Sequence, residues 1–405
     1  MWSDFGIDTG VFGPQNGMTG HEPRVTLTLM ERGLTAEVLE LARGAGASAV
    51  GVTSARPFPE ARKKLMEHRA TGESGPLRFT YDDPEVSTDV RRSHPWARSL
   101  VTVGRSYIGE AVPPANTGPV IGRFATADHY AAVRRVVEEV ARYLEDAGHR
   151  AACLVDDNGL VDRSAAARAG IGWLGRNTML LTPGPGPWML LGSVATDAPL
   201  ESTDVMRRDC GACAACLPAC PTGALSDRGL DARRCISTWL QSPGSIPHWI
   251  RPKIGRRIYG CDDCLTACPP GARALGASRV PESPSTFGEL LEMTDDELVR
   301  RFHWWYIPRR QGRYIRRNLL IAAGNSGEPE AAESIGSHLG HVSSMIRGVA
   351  AWGFARNLGE MAAVRLETML GEETIPGTIT EIELALEMVR FPNRYAARFR
   401  SPGGS

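Results

Sequence analysis

Cys210-Gly-Ala-Cys213-Ala-Ala-Cys216-Leu-Pro-Ala-Cys220-Pro221 is the stretch on which the reading of this chain turns. Its spacing is C-x2-C-x2-C-x3-C-P. Three thiolates at x2 spacing wrap one [4Fe–4S] cubane with backbone amides aimed at its sulfides. The fourth, held away by three residues and the proline, ligates another cluster. A second run, Cys261-Asp-Asp-Cys264-Leu-Thr-Ala-Cys268-Pro269, repeats the tail but lacks one leading cysteine. Cys235, in Asp231-Ala-Arg-Arg-Cys235, can supply it. One cluster then takes Cys210, Cys213, Cys216 and Cys268, and the other takes Cys220, Cys235, Cys261 and Cys264. Four thiolates each is the normal requirement. Structural zinc sites with four thiolates also use C-x2-C, but they do not need the x3-C-P tail twice. The ninth cysteine, Cys153, lies in an apolar stretch and reads as a core residue.

Outside the cysteines the composition is ordinary. The chain has 405 residues, 42% hydrophobic and 23% charged, enough for two or three domains with real cores. Lys+Arg and Asp+Glu are both 46, so no whole-protein basic field exists, and any affinity for nucleic acid must come from local patches. No apolar run approaches the roughly 20 residues that cross a bilayer, and no basic, apolar and small-residue leader pattern opens the chain. A soluble cytoplasmic protein is expected, in which clustered cysteines read as metal ligands rather than disulfides. Two clusters in reach of each other form an electron relay. An electron carrier alone needs a fraction of this length, so the remainder points to a substrate domain.

Residues 1–33, rich in Gly, Thr and Asp, read as a flexible extension. Thr35 is placed to cap a helix carrying Val38, Leu39, Leu41 and Ala42. Ala49–Thr53 and Leu100–Val103 read as strands. Residues 128–147 carry the clearest helical period, with Tyr130, Val133, Val136, Val137, Val140, Tyr143 and Leu144 on one face and Gly148 at the end. Ala151–Val155 reads as a buried-type strand, and Met179–Leu181 and Trp188–Val194 as two more. The alternation predicts an α+β or α/β domain over 34–200. A ferredoxin-like two-cluster domain follows over 201–280, where metal replaces an apolar core. Residues 281–395 read as helical, with amphipathic helices at Arg316–Ala323 and Val342–Leu358 in a HEAT-like arrangement, and 396–405 as a tail.

Basic residues crowd two places. Arg251, Lys253, Arg256 and Arg257 fall within seven residues. Arg300, Arg301, Arg309, Arg310, Arg313, Arg316 and Arg317 share an eighteen-residue stretch with His303, Trp304, Trp305 and Tyr306. Cations interleaved with aromatics suit phosphates and unstacked bases. A solvated helix face with tryptophans in the core is the plainer alternative.

Long motifs carry a resemblance. Val155-Asp156-Asp-Asn-Gly-Leu-Val-Asp162-Arg163, Ala169-Gly-Ile-Gly-Trp173-Leu-Gly-Arg-Asn177-Thr178, Asp231-Ala-Arg-Arg-Cys235-Ile-Ser237 and Arg257-Ile-Tyr-Gly-Cys261-Asp262-Asp-Cys264 together resemble the epoxyqueuosine reductase family. The similarity runs from about residue 35 to 390 and so includes the first domain and the helical tail. It implies a cobalamin-binding catalytic domain before the clusters. The implied reaction reduces the epoxide of epoxyqueuosine in tRNA to queuosine. Electrons come from an external low-potential donor and pass through two [4Fe–4S] clusters to cobalamin.

Asp156 matches the family's proton donor. An epoxide oxygen leaving as alkoxide needs a proton, and burial or a neighbouring carboxylate, Asp157 or Asp162, would tune the acid. Leu180 and Leu191 match cobalamin contacts through backbone. Ser237, Cys261 and Asp262 match contacts beside the second cluster, and Arg123 and Phe79 match further ones. The resemblance also implies that Arg251, Lys253, Arg256, Arg257, Arg316 and Arg317 seat an anticodon stem-loop, on a chain expected to be a membrane-free monomer. The sequence departs from the family pattern at Asp157, where a small residue is usual, at Gly159, where Pro is frequent, and at Cys268-Pro-Pro270-Gly271. A cobalamin and iron–sulfur reductase acting on another substrate, as reductive dehalogenases do, is the second reading. An iron–sulfur electron-transfer protein without cobalamin is the third.

Overall fold

Ser54 pairs with Ser99 and Ala49 with Gly104, so the chain leaves the first strand and re-enters the sheet at the same end. That return fixes the sheet as antiparallel. In the computed structural model, which describes residues 29–109, 118–276 and 285–400, the strands β1 (Ala49–Ser54), β2 (Ser99–Ser106), β4 (Ala151–Leu154) and β7 (Met189–Thr196) lie in the order β1-β2-β7-β4. Every pairing is antiparallel. The parallel crossovers that helix–strand alternation suggests are absent from this sheet. The helix and short turns between β1 and β2 bring the chain back on the side it left.

Contacts divide the chain into two units. The first holds the described residues to 109 together with 128–232 and 263–276. The second holds 118–127, 233–262 and the described residues from 285 onward. The cysteine segment is therefore shared between them, and does not form the separate block that a 201–280 domain would.

In the first unit, the helix His129–Asp146 forms where its valines repeat on one face. Asp128 caps it by accepting from the Ala131 amide at 2.9 Å. Its Val133 and Val137 lie against Gly192 of β7, while the neighbouring Leu191 packs with Ala166 and Ile171. Alternation along a strand sends neighbours to opposite faces, so β7 carries the long helix on one side and the helix Asp162–Arg168 on the other. A helix also covers Leu29–Gly44. Thr35 sits inside it rather than at its start, and its hydroxyl accepts from the Glu201 amide at 2.9 Å. The predicted extension thus ends at residue 28, outside the described residues. Cys153 is exposed, not core, because β4 is an edge strand with one face uncovered.

The second unit is built on a core that includes Trp305, Trp352, Phe287 and Leu319. Its helices Arg313–Ser326 and Ser344–Leu358 meet at Gly324 and Gly353. A Cβ on Gly324 would lie 2.7 Å from the Gly353 Cα, so only glycines permit this approach. Neither helix is amphipathic as its sequence suggests. Both are buried on nearly every face, Tyr314 through Gly324 without a break. Two short strands, β3 (Val120–Ile121) and β10 (Arg257–Tyr259), pair in parallel in this unit. In the first unit, β5 (Trp173–Leu174) with β6 (Leu180–Leu181) and β8 (Leu225–Ser226) with β9 (Gly229–Leu230) are small hairpins. Among the described residues, no helix is long and apolar enough to cross a membrane.

Candidate functional site

Cys210, Cys213, Cys216 and Cys268 all fall in the first unit, and all nine cysteines are free of disulfides. Burial, then the charge of Cys210, Cys268 and Cys213 nearby, pushes the Cys216 thiol up to about 11. Burial also pushes Cys268 up, with Cys210 and Cys213 adding to the shift. Thiols that disfavour one another's ionisation are close together, and they ionise together only against positive charge, which a cluster's irons supply. Backbone amides already address the sulfurs. Arg176 N–H donates to Cys210 Sγ at 3.4 Å, and Ala224 N–H to Cys220 Sγ at 3.2 Å. Such N–H···S bonds are the usual setting of an iron–sulfur site. Among the described residues no three His, Cys, Asp or Glu side chains close on a single metal ion. A cubane takes one thiolate at each of its four irons and does not ask them to. Eight thiols in this pattern fit two cubanes.

The departure after Cys268 has a structural reason. Cys268 precedes the helix Pro269–Leu275, which starts on two prolines. A Cβ on Gly271 would meet the Leu265 carbonyl oxygen at 2.1 Å, and the Gly271 carbonyl accepts from Trp188 Nε1 at 3.0 Å. Glycine here lets the turn close against the Trp188 ring.

Asp156 follows β4 with a φ of +55°, a left-handed conformation that Asp tolerates better than most side chains. Its side chain is exposed. Asp157 is committed locally, since its Oδ1 accepts from the Gly159 amide at 2.6 Å. A proline at 159 has no N–H to give, so the Asp157 and Gly159 departures are one paired change. Asp162 is buried in the first turn of its helix.

Leu180 and Leu191 come together in the first unit. Leu180 belongs to a small buried cluster with Ala166 and Ile171, and Leu191 packs on it. Around Leu180 lie groups that sequence reasoning missed. Thr178 is a β-branched residue at φ +64°, a real departure from ordinary backbone. Its carbonyl accepts from Arg163 Nη1 at 2.6 Å. The Thr178 and Thr182 hydroxyls are both buried with no partner among the described residues. Buried hydroxyls normally find partners. Two orphans flanking an apolar patch fit a cofactor with a hydrophobic face and polar edges. Thr178 was marked only by its place in the Ala169–Thr178 motif and Thr182 by nothing, because a threonine beside a strand carries no signal of its own. Phe79 is half-buried, at φ +36°.

In the second unit, β3 and β10 bring Arg123 and Asp262 together, and the Arg123 amide donates to Asp262 Oδ2 at 2.7 Å. Cys261 is half-buried beside them. Ser237 is fully buried, and its hydroxyl accepts from Gln241 Nε2 at 3.0 Å. It is a helix packing residue with no open face toward a cofactor, which corrects the expectation from sequence.

Three arginines expected at phosphates are also corrected. Arg251 is fully buried, with Nη1 and Nη2 each 2.8 Å from the Glu381 carboxylate. Arg317 is fully buried and donates to the Ser242, Gly244 and Trp239 carbonyls, and burial pulls it down to about 9. Arg316 donates to Asp295 Oδ1 and to the Leu291 and Met293 carbonyls. Their charges are spent on internal acceptors that desolvation makes obligatory. Trp304 and Trp305 both donate to the Ala125 carbonyl, and Trp305 stacks with Phe302 and Tyr259 in the core. Arg300, Arg301, His303, Tyr306, Arg309 and Arg310 remain exposed, while Lys253, Arg256 and Arg257 are half-buried. Arg309 and Arg310 are consecutive left-handed residues at φ +52° and +54°, backbone strain in an exposed cationic loop.

A family profile described as a 4Fe-4S double cluster binding domain matches residues 209–271. Epoxyqueuosine reductase of Bacillus subtilis is 30% identical over 378 residues, 88% of this chain and 96% of that protein. The Staphylococcus aureus epoxyqueuosine reductase is 30% identical over 345 residues, 81% of this chain and 90% of that protein. A crystal structure of epoxyqueuosine reductase with a tRNA-Tyr epoxyqueuosine-modified tRNA stem loop superposes with a TM-score of 0.77. It is 29% identical in sequence and covers 88% of this chain and 99% of that one. The fold matches that solved structure over nearly its whole length, the sequence matches these relatives at 30% identity over most of theirs, and the chain belongs to the epoxyqueuosine reductase family.

Proposed function

We propose that this chain reduces the epoxide of epoxyqueuosine in tRNA to the alkene of queuosine, with Asp156 as the proton donor. The observation that carries the reading is the left-handed, exposed Asp156 at the end of β4, on the sheet whose β7 bears Leu191. Bound clusters and cobalamin would relay two electrons from an external low-potential donor, and with two protons the epoxide oxygen leaves as water. The chain's own residues do the rest. Cys210, Cys213, Cys216 and Cys268 hold one [4Fe–4S] cluster, and by their spacing Cys220, Cys235, Cys261 and Cys264 hold the other. Leu180, Leu191 and Phe79 would hold the corrin by apolar contact, and the Thr178 and Thr182 hydroxyls would offer it hydrogen bonds. Arg123 and Asp262 hold each other in place beside Cys261. Asp156 gives its proton to the leaving oxygen, which would otherwise depart as alkoxide.

In this reading residues 34–200 carry the acid and the cobalamin, 201–280 the clusters, and 281–395 a HEAT-like helical region that presents cations to the anticodon stem-loop. Arg300, Arg301, Arg309 and Arg310 are the exposed set that suits phosphates, with Lys253, Arg256 and Arg257 contributing where they reach the surface. The deciding assay is anaerobic. Reconstituted protein, cobalamin and a low-potential reductant are given epoxyqueuosine-bearing tRNA, and queuosine is measured by mass spectrometry after digestion. Fully loaded protein that forms no queuosine ends the proposal.

Two further results are expected. Cys216→Ser should cut bound iron from about eight to about four per chain, because one cubane loses a ligand while the other keeps all four. Iron assay and absorbance measure this, and unchanged iron would remove Cys216 from the ligand set. Arg309→Gly removes a cation and relieves its left-handed strain together. Binding of the stem-loop should weaken with a salt slope lower by about 1, with no fall in melting temperature. An unchanged slope would exclude Arg309 from the phosphate contacts.

A further inference from the structure

We infer that Arg176, at the tip of the β5–β6 hairpin, sets the electron affinity of the cluster held by Cys210, Cys213, Cys216 and Cys268. This rests on the two-cluster reading above and adds a tuning residue to it. The turn Gly175–Thr178 is closed by backbone bonds from Gly175 N–H to the Met179 carbonyl at 2.9 Å and from Thr178 N–H to the Gly175 carbonyl at 2.8 Å. Held this way, Arg176 touches the cluster segment by several routes. Its amide donates to Cys210 Sγ at 3.4 Å, its Nη2 donates to the Gly211 carbonyl at 3.2 Å, and its Nη1 pairs with Asp227. Its Nε is buried and has no hydrogen-bond partner among the described residues. A charged N–H left over beside a cluster ligand has the sulfur atoms of that cluster as its natural acceptors. The next residue, Asn177, donates through Nδ2 to the carbonyl of Cys264, a ligand assigned to the other cluster, at 3.4 Å. One turn therefore rests on both cysteine groups.

The consequence is electrostatic. Reduction adds one electron to the cluster, breaks no bond and needs no proton, so the thiolate-ligated cluster becomes more negative by one charge. An amide aimed at a ligand sulfur and a fixed guanidinium both favour the more negative state and raise the potential. The Arg176 side chain is 24% exposed, so water screens it only in part. Asp227, at 75% exposure, opposes it from the solvent side. Arg207, Arg208 and Asp209 on the adjoining segment are exposed and more strongly screened. Arg273, whose charge reaches Cys268, is exposed as well, so Arg176 is the least screened of these cations.

The test is an EPR-monitored redox titration of the reconstituted chain without cobalamin or tRNA, with iron counted in every sample. In Arg176→Gln one of the two reduction waves should move to lower potential. At fixed potential its ratio of reduced to oxidised cluster should fall about tenfold, which is ~59 mV for one electron. Arg176→Lys, which keeps the charge, should recover most of the shift. Asp227→Asn should move the same wave upward, and at an exposed site it does not threaten the fold. If Arg176→Gln loses iron, an upward move in Asp227→Asn still supports the inference, and an unmoved wave there overturns it. Unmoved waves in fully loaded variants, or equal shifts in the Gln and Lys variants, overturn this inference alone. A parent protein without [4Fe–4S] signals overturns the two-cluster reading with it.

Discussion

Asp156→Asn should lower queuosine formation about a thousandfold, the middle of the range that a positioned general acid supplies, while bound iron, bound cobalamin and melting temperature stay at parent values. Asn is the informative replacement. It matches Asp in shape and is, like Asp, among the few side chains that accept the left-handed backbone found at φ +55°. The loop is therefore expected to keep its course, and only the acidic proton is lost. If Asp156 merely shaped the turn, Asn would serve nearly as well and turnover would survive. Single-turnover assays separate the outcomes, since they read the chemical step apart from tRNA release. Asp157→Asn is the companion control. Its amide oxygen can still accept from the Gly159 N–H, the bond of 2.6 Å now made by the carboxylate, so activity should stay within a few-fold of the parent. A large loss there with none at Asp156 would transfer the acid role to the neighbour.

Glu381→Ala should cost about 3–5 kcal/mol of stability, the usual result of removing one partner from a buried ion pair. Arg251 is fully exposed to this loss because it has no route to water. The two groups belong to a relay whose protons can be assigned from its partners. Trp352 Nε1 donates to the Tyr395 hydroxyl oxygen at 2.8 Å, and that hydroxyl, 2.6 Å from His248 Nδ1, donates to it. His248 Nε2 is then the protonated nitrogen and faces Glu381 Oε2 at 3.1 Å. Burial pulls His248 down, which keeps the ring neutral and this tautomer in place. Burial would push Glu381 up, but the bond from His248 and the charge and bonds of Arg251 outweigh it and hold it at about 2, against an ordinary 4.5.

The sign follows from these shifts. The unfolded chain takes up protons at Glu381 and His248 before the folded one does, so both lose stability as pH falls. The histidine's share declines below its ordinary 6.5, and the glutamate's declines from about 4.5 toward 2. With His248→Gln in both chains, so that only the glutamate titrates, denaturant melts from pH 5 to pH 3 should show the chain that keeps Glu381 weakening more steeply than its Glu381→Ala counterpart. The double replacement Arg251→Met with Glu381→Leu should recover much of the loss. Parallel pH dependences would sink the account.

What could be read from sequence divides by the range of the physics. The double-cluster segment was legible because cysteine spacing is a local requirement, and the family profile matches over 209–271. The helix His129–Asp146 was legible because its apolar period and its cap lie within its own length. Asp156 was singled out only through resemblance, since an acidic residue after a strand has many ordinary uses. The buried arginines were misread because sequence displays charge and hides burial. Arg251 meets its carboxylate 130 residues away, and Arg317 reaches a carbonyl 78 residues away. Ser237 was misread for the same reason. The sheet's direction was hidden too, because a helix between two strands serves parallel and antiparallel returns alike until the register is known. Thr178 and Arg176 stood in a quoted motif, but nothing in their residue types announced a strained hydroxyl or a cation resting on a cluster ligand.

The interleaving of the two units bears on how such a chain comes into being. Translation delivers 29–109 for the first, then the start of the second, and alternates until the first receives its last piece at 263–276. Cys264 and Cys268 arrive in that last piece, after Cys235 and Cys261 have been issued to the second unit. Neither proposed set of four thiols is therefore complete before residue 264 has been made. Nor is the cysteine segment a cassette that recombination can lift out intact. Excising 201–280 would take structural pieces from both units at once, so electron relay and catalytic scaffold are bound to be inherited together.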